Sequence, residues 1–366
     1  MGSHRIAIDC RWLHSGGAGR VTELLLRGLA GDPGEVDWVL WGPPAVEDLA
    51  WPSARVVVEP HDPRQLHGQR NWFDLPECDI ALFLHQQRPL RRVPAVTMVY
   101  DTIPLRFASG RLDRAVKRRF LRRVAAISRH LVTTSEYSKA CIRSDLGVPA
   151  GKVSVAGCPG DPQMAGRVAE LRRRLEPQPV ALYLGLFLPH KNLERLIEAF
   201  GQTEFRAGGG RLLLMGGSPA EHEALSSRLT GDRREYVQAR PFGSQTDLET
   251  LLATCRFLVQ PSLEEGFGLP AWEALCCGMP VCASDGGSLP EVTRGWADQF
   301  PAASTGEMVK ALDACAARAD RLTPEAAEAA SQAFLQQAPG IGEFAGQITR
   351  ILQAELGRPS GERSRR

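Results

Sequence analysis

The chain has 366 residues, 43% of them hydrophobic, 23% charged and 7% aromatic, which excludes wholesale disorder and favours about two soluble domains. It contains no apolar run of about 18 residues, so no transmembrane helix is expected. The formal charge of +2 divides unevenly: residues 1–177 carry 26 basic and 19 acidic groups, the remainder 18 and 23, too mild a skew for a nucleic-acid partner. Nine cysteines without C-x2-C spacing point away from a zinc site or a complete disulfide framework. The first ten residues lack the long apolar core of a secretory signal, and the expected location is cytoplasmic.

In chain order, Arg5–Asp9 reads as a first strand and Ala18–Leu29 as a helix. Short unbroken apolar runs follow at 36–41, 56–58, 80–84, 95–100 and 131–133. Such runs suit strands covered on both faces, and helices between them imply a parallel sheet. Between 161 and 178, prolines bracket a short Arg-rich helix, and this segment is the expected linker. The alternation then restarts, with strands expected at 180–184, 212–215, 257–259 and 280–283. From Thr305 the chain reads helical to about Leu356, interrupted near Pro339-Gly340, and 357–366 is an expected disordered tail. The boundaries are therefore an N-terminal Rossmann-like domain over 1–160, a linker over 161–178, a second Rossmann-like domain over 179–338 and a C-terminal helix over 339–356.

Arg111–Arg129 is strongly basic, with Leu112, Val116, Phe120 and Val124 recurring every four residues. One reading is a helix whose apolar face meets the core while its charged side is solvated. The other is a surface for an anionic acceptor or for membrane headgroups.

The richest stretch is Pro261-Ser262-Leu263-Glu264-Glu265-Gly266-Phe267-Gly268-Leu269-Pro270-Ala271-Trp272-Glu273. A strand ends at Pro261 and a glycine-containing loop leads into a helix. Pro270 suits the first helical turn. The amides near Gly268 and Leu269 then form a positive helix end suited to a diphosphate. Glu265 and Glu273 are carboxylates suited to sugar hydroxyl pairs. Either one alone would pass for the usual acidic bias of a helix start.

These residues resemble glycosyltransferase family 4, retaining enzymes of GT-B fold that use nucleotide sugars. The resemblance rests on Glu265…Glu273 (a Glu-x7-Glu pattern), Gly278-Met279-Pro280-Val281 and Gly286-Gly287-Ser288-Leu289-Pro290-Glu291-Val292. It implies an α/β fold of two Rossmann-like domains facing across a cleft, with C-terminal helices crossing back to the first domain. By resemblance Glu265 contacts donor-sugar hydroxyls, Glu273 the ribose, and Gly266, Phe267, Gly268 and Leu269 the donor.

Tyr183-Leu184-Gly185-Leu186 followed by Pro189-His190-Lys191-Asn192 resembles a second family unit, with Gly185 at the donor and Lys191 the cation over its diphosphate. Leu186 stands where many members carry Arg. Gly16-Gly17-Ala18-Gly19-Arg20 resembles the family's phosphate-facing loop, which assigns Gly17 and Gly19 to the donor; the alternative is a plain turn before a helix. Tyr100-Asp101 resembles the family's His-Asp pair where acceptor and donor meet. Tyrosine, with an ordinary pKa near 10, is a poor base at neutral pH but still donates a hydrogen bond. Asp101 has an alternative as the cap of the following turn. Ser135 reads as a helix N-cap.

No Asp-x-Asp occurs, so the metal-dependent GT-A architecture is not expected. The resemblance implies metal-independent, same-face transfer of a hexose from a nucleoside-diphosphate sugar, with no other cofactor. The acceptor is a hydroxyl, anionic or lipid-linked in the reading that uses the Arg111–Arg129 helix at a membrane. A sugar-nucleotide hydrolase or epimerase, or a degenerate nucleotide-sugar-binding scaffold, stands as the alternative.

Overall fold

The computed structural model describes residues 4–13, 16–58, 76–87 and 93–358. It divides into two units, one comprising 1–159 with 339–366 and the other 160–338. Of the expected tail, residues 359–366 lie outside the described residues.

The first unit contains β1 (Arg5–Asp9), α1 (Gly16–Gly31), β2 (Asp37–Gly42), β3 (Arg55–Val58), β4 (Ile80–Phe83) and β5 (Ala95–Met98). It continues with α2 (Ile103–Arg106), α3 (Arg111–Ile127), β6 (His130–Thr133), α4 (Glu136–Leu146) and β7 (Val153–Val155). All pairings are parallel, in the order β3-β2-β1-β4-β5-β6-β7. The order reverses between β1 and β4, the position where open α/β sheets place ligands. Ser135 caps α4 by accepting from the Ser138 amide at 3.0 Å, and Gly147 ends it in the left-handed region at φ +71°.

The second unit contains α5 (Pro162–Arg174), β8 (Gln178–Leu184), α6 (Leu193–Phe200), α7 (Glu204–Ala207), β9 (Arg211–Met215), α8 (Pro219–Arg228), α9 (Arg233–Tyr236) and β10 (Val237–Arg240). Then come α10 (Gln245–Thr254), β11 (Cys255–Gln260), α11 (Leu269–Cys276), β12 (Val281–Ser284), α12 (Leu289–Thr293), β13 (Asp298–Phe300), α13 (Thr305–Asp320) and α14 (Pro324–Leu335). Its parallel sheet runs β10-β9-β8-β11-β12-β13, reversing between β8 and β11. Alternate residues of β8 enter opposite cores. Val180, Leu182 and Leu184 pack with Trp272, Leu275 and Phe334, whereas Ala181 and Tyr183 pack with Leu196, Phe200 and Leu312. Burial on both faces is why these strands read as unbroken apolar runs.

Two features differ from the sequence-based expectations. The segment 161–178 is built into the second unit rather than spanning between domains. Asp161 caps α5 by accepting from the amides of Gln163 and Met164, and Met164 and Val168 join the core around Trp272. Of the prolines that signalled a linker, Pro162 instead starts this helix. In α3, the four-residue stripe is not a continuous core face. Val124 is fully buried, and Leu121 and Ala125 pack with Leu105, Leu131 and Ile142, but Leu112 is 80% and Val116 61% exposed. The stripe fixes a face of the helix; neighbours cover only its C-terminal half.

The final helix, α15 (Ile341–Leu356), belongs to the first unit and packs on α1. A Cβ on Gly28 would lie 2.6 Å from the Ile341 carbonyl and 2.7 Å from Ala345 Cβ, so a larger residue would push the helices apart. Among the described residues no helix is long and apolar enough to cross a membrane.

Candidate functional site

In the second unit the loops after β8 and β11 meet at the switch point. After Leu184 the chain turns through Pro189–Lys191 into Asn192, whose left-handed φ of +59° redirects it into α6. Asn192 Nδ2 donates to the carbonyls of Pro261 (3.1 Å) and Ala302 (2.9 Å), and the Leu263 amide donates to the His190 carbonyl at 2.7 Å. These bonds join the two loops and bring Lys191 Nζ to 2.7 Å from Glu265 Oε1.

Glu265 is buried, and three donors converge on its Oε1: Lys191 Nζ, Gln260 Nε2 at 2.6 Å and Ser262 Oγ at 2.7 Å. Burial pushes the carboxyl up. The charge of Lys191, with hydrogen bonds from Lys191 and Ser262, outweighs it and holds Glu265 below the usual glutamate range. No described residue donates a hydrogen bond to Oε2, which leaves that oxygen for another hydroxyl. His190, desolvated beside Lys191, is pushed down to about 4 and is neutral at neutral pH.

The backbone carrying Glu265 is clamped from below by the loop after β12. Ser288 donates to the Glu265 carbonyl from its amide and its hydroxyl, both at 3.1 Å. A Cβ on Gly286 would sit 2.1 Å from the Ser262 carbonyl, and one on Gly287, at φ +67°, 2.4 Å from the Glu265 carbonyl. The second glycine motif therefore acts through close approach to the Glu265 loop.

Gly268, at φ +89°, precedes α11, and Trp272 is the first residue of that turn to donate back, to the Gly268 carbonyl at 3.1 Å. The amides ahead of Trp272 form the positive end of the helix. Phe267 packs edge-on against Trp272 with centroids 5.4 Å apart. Glu273 is half-buried and shares the partly exposed face of α11 with Leu269 and Pro270. Gly185 donates its amide to Met215, and a Cβ there would meet the Tyr183 hydroxyl at 2.6 Å. Thus Gly185, Lys191, Glu265, Gly266, Phe267, Gly268, Leu269 and Glu273 lie together on two adjoining loops and one helix start. Gln260, Ser262, Asn192 and Ser288 complete the arrangement; the last three fall within the motif segments but had no assigned role, and Gln260, at the end of β11, carries no sequence signal beyond its polar chemistry.

The remaining expected residues belong to the first unit. Gly19 is buried, and a Cβ there would lie 2.2 Å from the Leu13 carbonyl, so this glycine serves packing; Gly17 is exposed in the first turn of α1. Tyr100 donates its hydroxyl to the Leu84 carbonyl at 3.0 Å, and burial raises its pKa well above 10. Its proton is thus engaged internally. Asp101 Oδ1 accepts from the Ile103 amide at 3.0 Å, bracing the turn that leads into α2. Beside them stands His85, absent from the sequence expectations. Its ring stacks on Trp12 with centroids 4.1 Å apart and lies 6.3 Å from the ring of Tyr100.

Two parallel sheets of Rossmann-like order, with polar and charged side chains gathered at the switch point of the second, define an α/β protein of GT-B fold. Residues 170–353, half of the chain, match the family described as glycosyl transferases group 1, and residues 15–163 match glycosyltransferase family 4. The chain belongs to the group 1 glycosyl transferases.

The chain is 30% identical over 170 residues to the O-antigen chain mannosyltransferase B of Escherichia coli, covering 44% of this chain and 45% of that protein. It is 24% identical over 202 residues to the O-antigen chain mannosyltransferase RfbU of Salmonella typhimurium, covering 55% and 54%. It therefore spans about half the length of these curated relatives. The crystal structure of Anabaena Alr3699/HepE in complex with UDP and glucose superposes with a TM-score of 0.71 at 18% identity, over 96% of this chain and all of the other. At that identity the likeness concerns the fold.

Proposed function

We propose that the second unit binds a nucleoside-diphosphate sugar and that the chain transfers its hexose to a hydroxyl acceptor with retention of configuration. The observation that carries this reading is the Lys191–Glu265 pair at the switch point, with Glu265 Oε2 unengaged by described residues and the α11 amides on the adjoining segment. On binding, a diphosphate oxygen replaces Glu265 as the partner of Lys191, and the α11 amides hold the other phosphate oxygens. Glu265 then accepts from sugar hydroxyls and Glu273 from the ribose. The acceptor oxygen bonds to the anomeric carbon as its bond to the diphosphate breaks, on the same face, and the acceptor proton passes to the departing phosphate oxygen. No metal ion and no further cofactor take part in this scheme.

The O-antigen chain mannosyltransferases among the relatives make mannose the first hexose to test and favour a polysaccharide acceptor, with a lipid-linked acceptor as the further reading. A contact with anionic headgroups through α3 accords with this. That helix carries seven Arg or Lys and one Asp, and exposes Leu112 and Val116 among them.

The test is release of nucleoside diphosphate from GDP-mannose and UDP-glucose, with and without sugar acceptors and EDTA. Acceptor-dependent release that survives EDTA supports the reading. Release that is the same with and without acceptor identifies a hydrolase. Activity that EDTA abolishes and magnesium restores contradicts the metal-free scheme.

A further inference from the structure

Both units have the same strand order around a reversal, and in each the reversal lies between the first and fourth strands of the unit. In the second unit the loops after those strands supply Lys191 and Glu265. In the first unit the corresponding segments, after β1 and β4, supply Trp12 and His85. Side chains from two chain-distant strand ends thus meet at the position where such sheets receive ligands.

The chemistry of His85 is fixed by its surroundings. Its Nδ1 accepts from the Gln87 amide at 3.0 Å, so in the neutral ring the proton resides on Nε2. The ring is neutral at physiological pH because burial pushes it down to about 4; the carboxylate of Asp9 opposes this. Asp9 is itself held by Arg11 through two hydrogen bonds of 2.8 Å, both side chains being 1% exposed. Trp12 stacks beneath the imidazole, and the Tyr100 hydroxyl anchors the neighbouring Leu84 carbonyl, so both position and tautomer are set. The buried Trp12 Nε1 meets no acceptor among the described residues, and the hydrogen bond that the His85 ring makes to a described residue is the one at Nδ1, with the ring partly exposed. A partly exposed, neutral, oriented N–H donor is suited to bind an oxygen.

We propose that His85 orients the acceptor, its Nε2–H donating to a hydroxyl or ring oxygen of the incoming sugar. In this tautomer His85 is a hydrogen-bond donor and not a base. The proposal takes from the glycosyltransferase reading only that a sugar acceptor is bound; it does not depend on the donor site.

The test uses the full chain labelled with 15N-histidine, with octyl α-mannopyranoside as probe. The expected spectrum shows His85 as the Nε2–H tautomer, with that signal shifting as the glycoside saturates the protein. His85→Phe, which keeps the stack and removes the donor, is expected to weaken glycoside binding at least about tenfold, while His85→Gln, which restores an N–H near Nε2, stays within about threefold of wild type. Binding of GDP and UDP is expected to be unchanged in both variants. An Nδ1–H tautomer, an unmoved His85 signal, or wild-type glycoside affinity in His85→Phe would overturn the proposal. Failure of the donor reading appears separately, as wild-type nucleotide binding in variants of Lys191 and Glu265.

Discussion

Lys191 and Glu265 are 74 residues apart in the chain and form a hydrogen-bonded ion pair of 2.7 Å. The meeting follows from strand order, since β8 and β11 are neighbours across the reversal of the sheet and each residue lies in the loop that follows its strand. The side chains are 15% and 8% exposed, so neither charge is well hydrated. A pair so placed is available to a ligand whose charged oxygens substitute for those of Glu265.

Removing one partner leaves the other buried and uncompensated. Lys191→Ala is expected to destabilise the chain by about 3 kcal/mol, the low end for a broken buried pair, because Gln260 and Ser262 still donate to Glu265. The double variant Lys191→Met with Glu265→Leu is expected to recover most of that loss and to remain inactive. Urea denaturation measures both; equal stability of Lys191→Ala and wild type would show that the pair carries no energetic weight.

Gly287 tests the support beneath Glu265. Alanine there must adopt φ +67° and bring its Cβ within 2.4 Å of the Glu265 carbonyl. The Glu265 loop is then displaced. Sugar transfer is expected to fall by at least about tenfold, since small misplacements of reacting groups cost that much or more, with the circular-dichroism spectrum retained. Transfer at the wild-type rate would mean the loop tolerates the shift.

Acid should destabilise the chain in a defined window. His85, His130 and His190 each fall to about 4 from an ordinary 6.5, in every case first through burial. The unfolded chain then binds more protons than the folded one between those values. Their neutral forms favour the fold fully above about pH 6.5, and this contribution is lost progressively as pH falls toward 4. Glu265, lowered below 4.5, adds a further loss below that value. Urea midpoints are expected to fall from pH 7.5 to pH 5, and His130→Gln is expected to flatten the slope. A midpoint independent of pH across that range would contradict these burial effects.

Exposed Leu112 and Val116 among basic side chains predict binding to vesicles of phosphatidylglycerol and phosphatidylethanolamine. Replacing both with Asp is expected to reduce sedimentation with such vesicles at least about tenfold without changing thermal stability, because neither side chain is packed. Equal partitioning of variant and wild type would remove this surface from the account.

Much of the local structure of the candidate site in the second unit was legible in sequence because its elements are local. Pro270, Gly268 and the two glutamates mark one loop-to-helix junction, and Lys191 follows a strand whose apolar run is unbroken. What was not legible depends on pairing across the sheet. Gln260 and Ser262 have no distinctive spacing, and their role appears only when both donate to Glu265 Oε1. His85 was a lone histidine until the order β1-β4-β5 placed it on Trp12 and beside Tyr100. In α3 the four-residue repeat fixed a face but not the extent of its cover. Prolines at 162, 177 and 179 signalled a break, whereas Pro162 opens a helix capped by Asp161.

The central claim is that Lys191 and Glu265 grip the diphosphate and sugar of one donor, and calorimetric titration of GDP, GDP-mannose, UDP and UDP-glucose tests it most directly. Wild type is expected to bind one base pair of ligands, the sugar nucleotide more tightly than the bare diphosphate. Lys191→Met should weaken both members of that pair, and Glu265→Gln should erase the advantage of the sugar while sparing the diphosphate. Wild-type affinities for both ligands in both variants, in samples shown to be folded, would contradict the account.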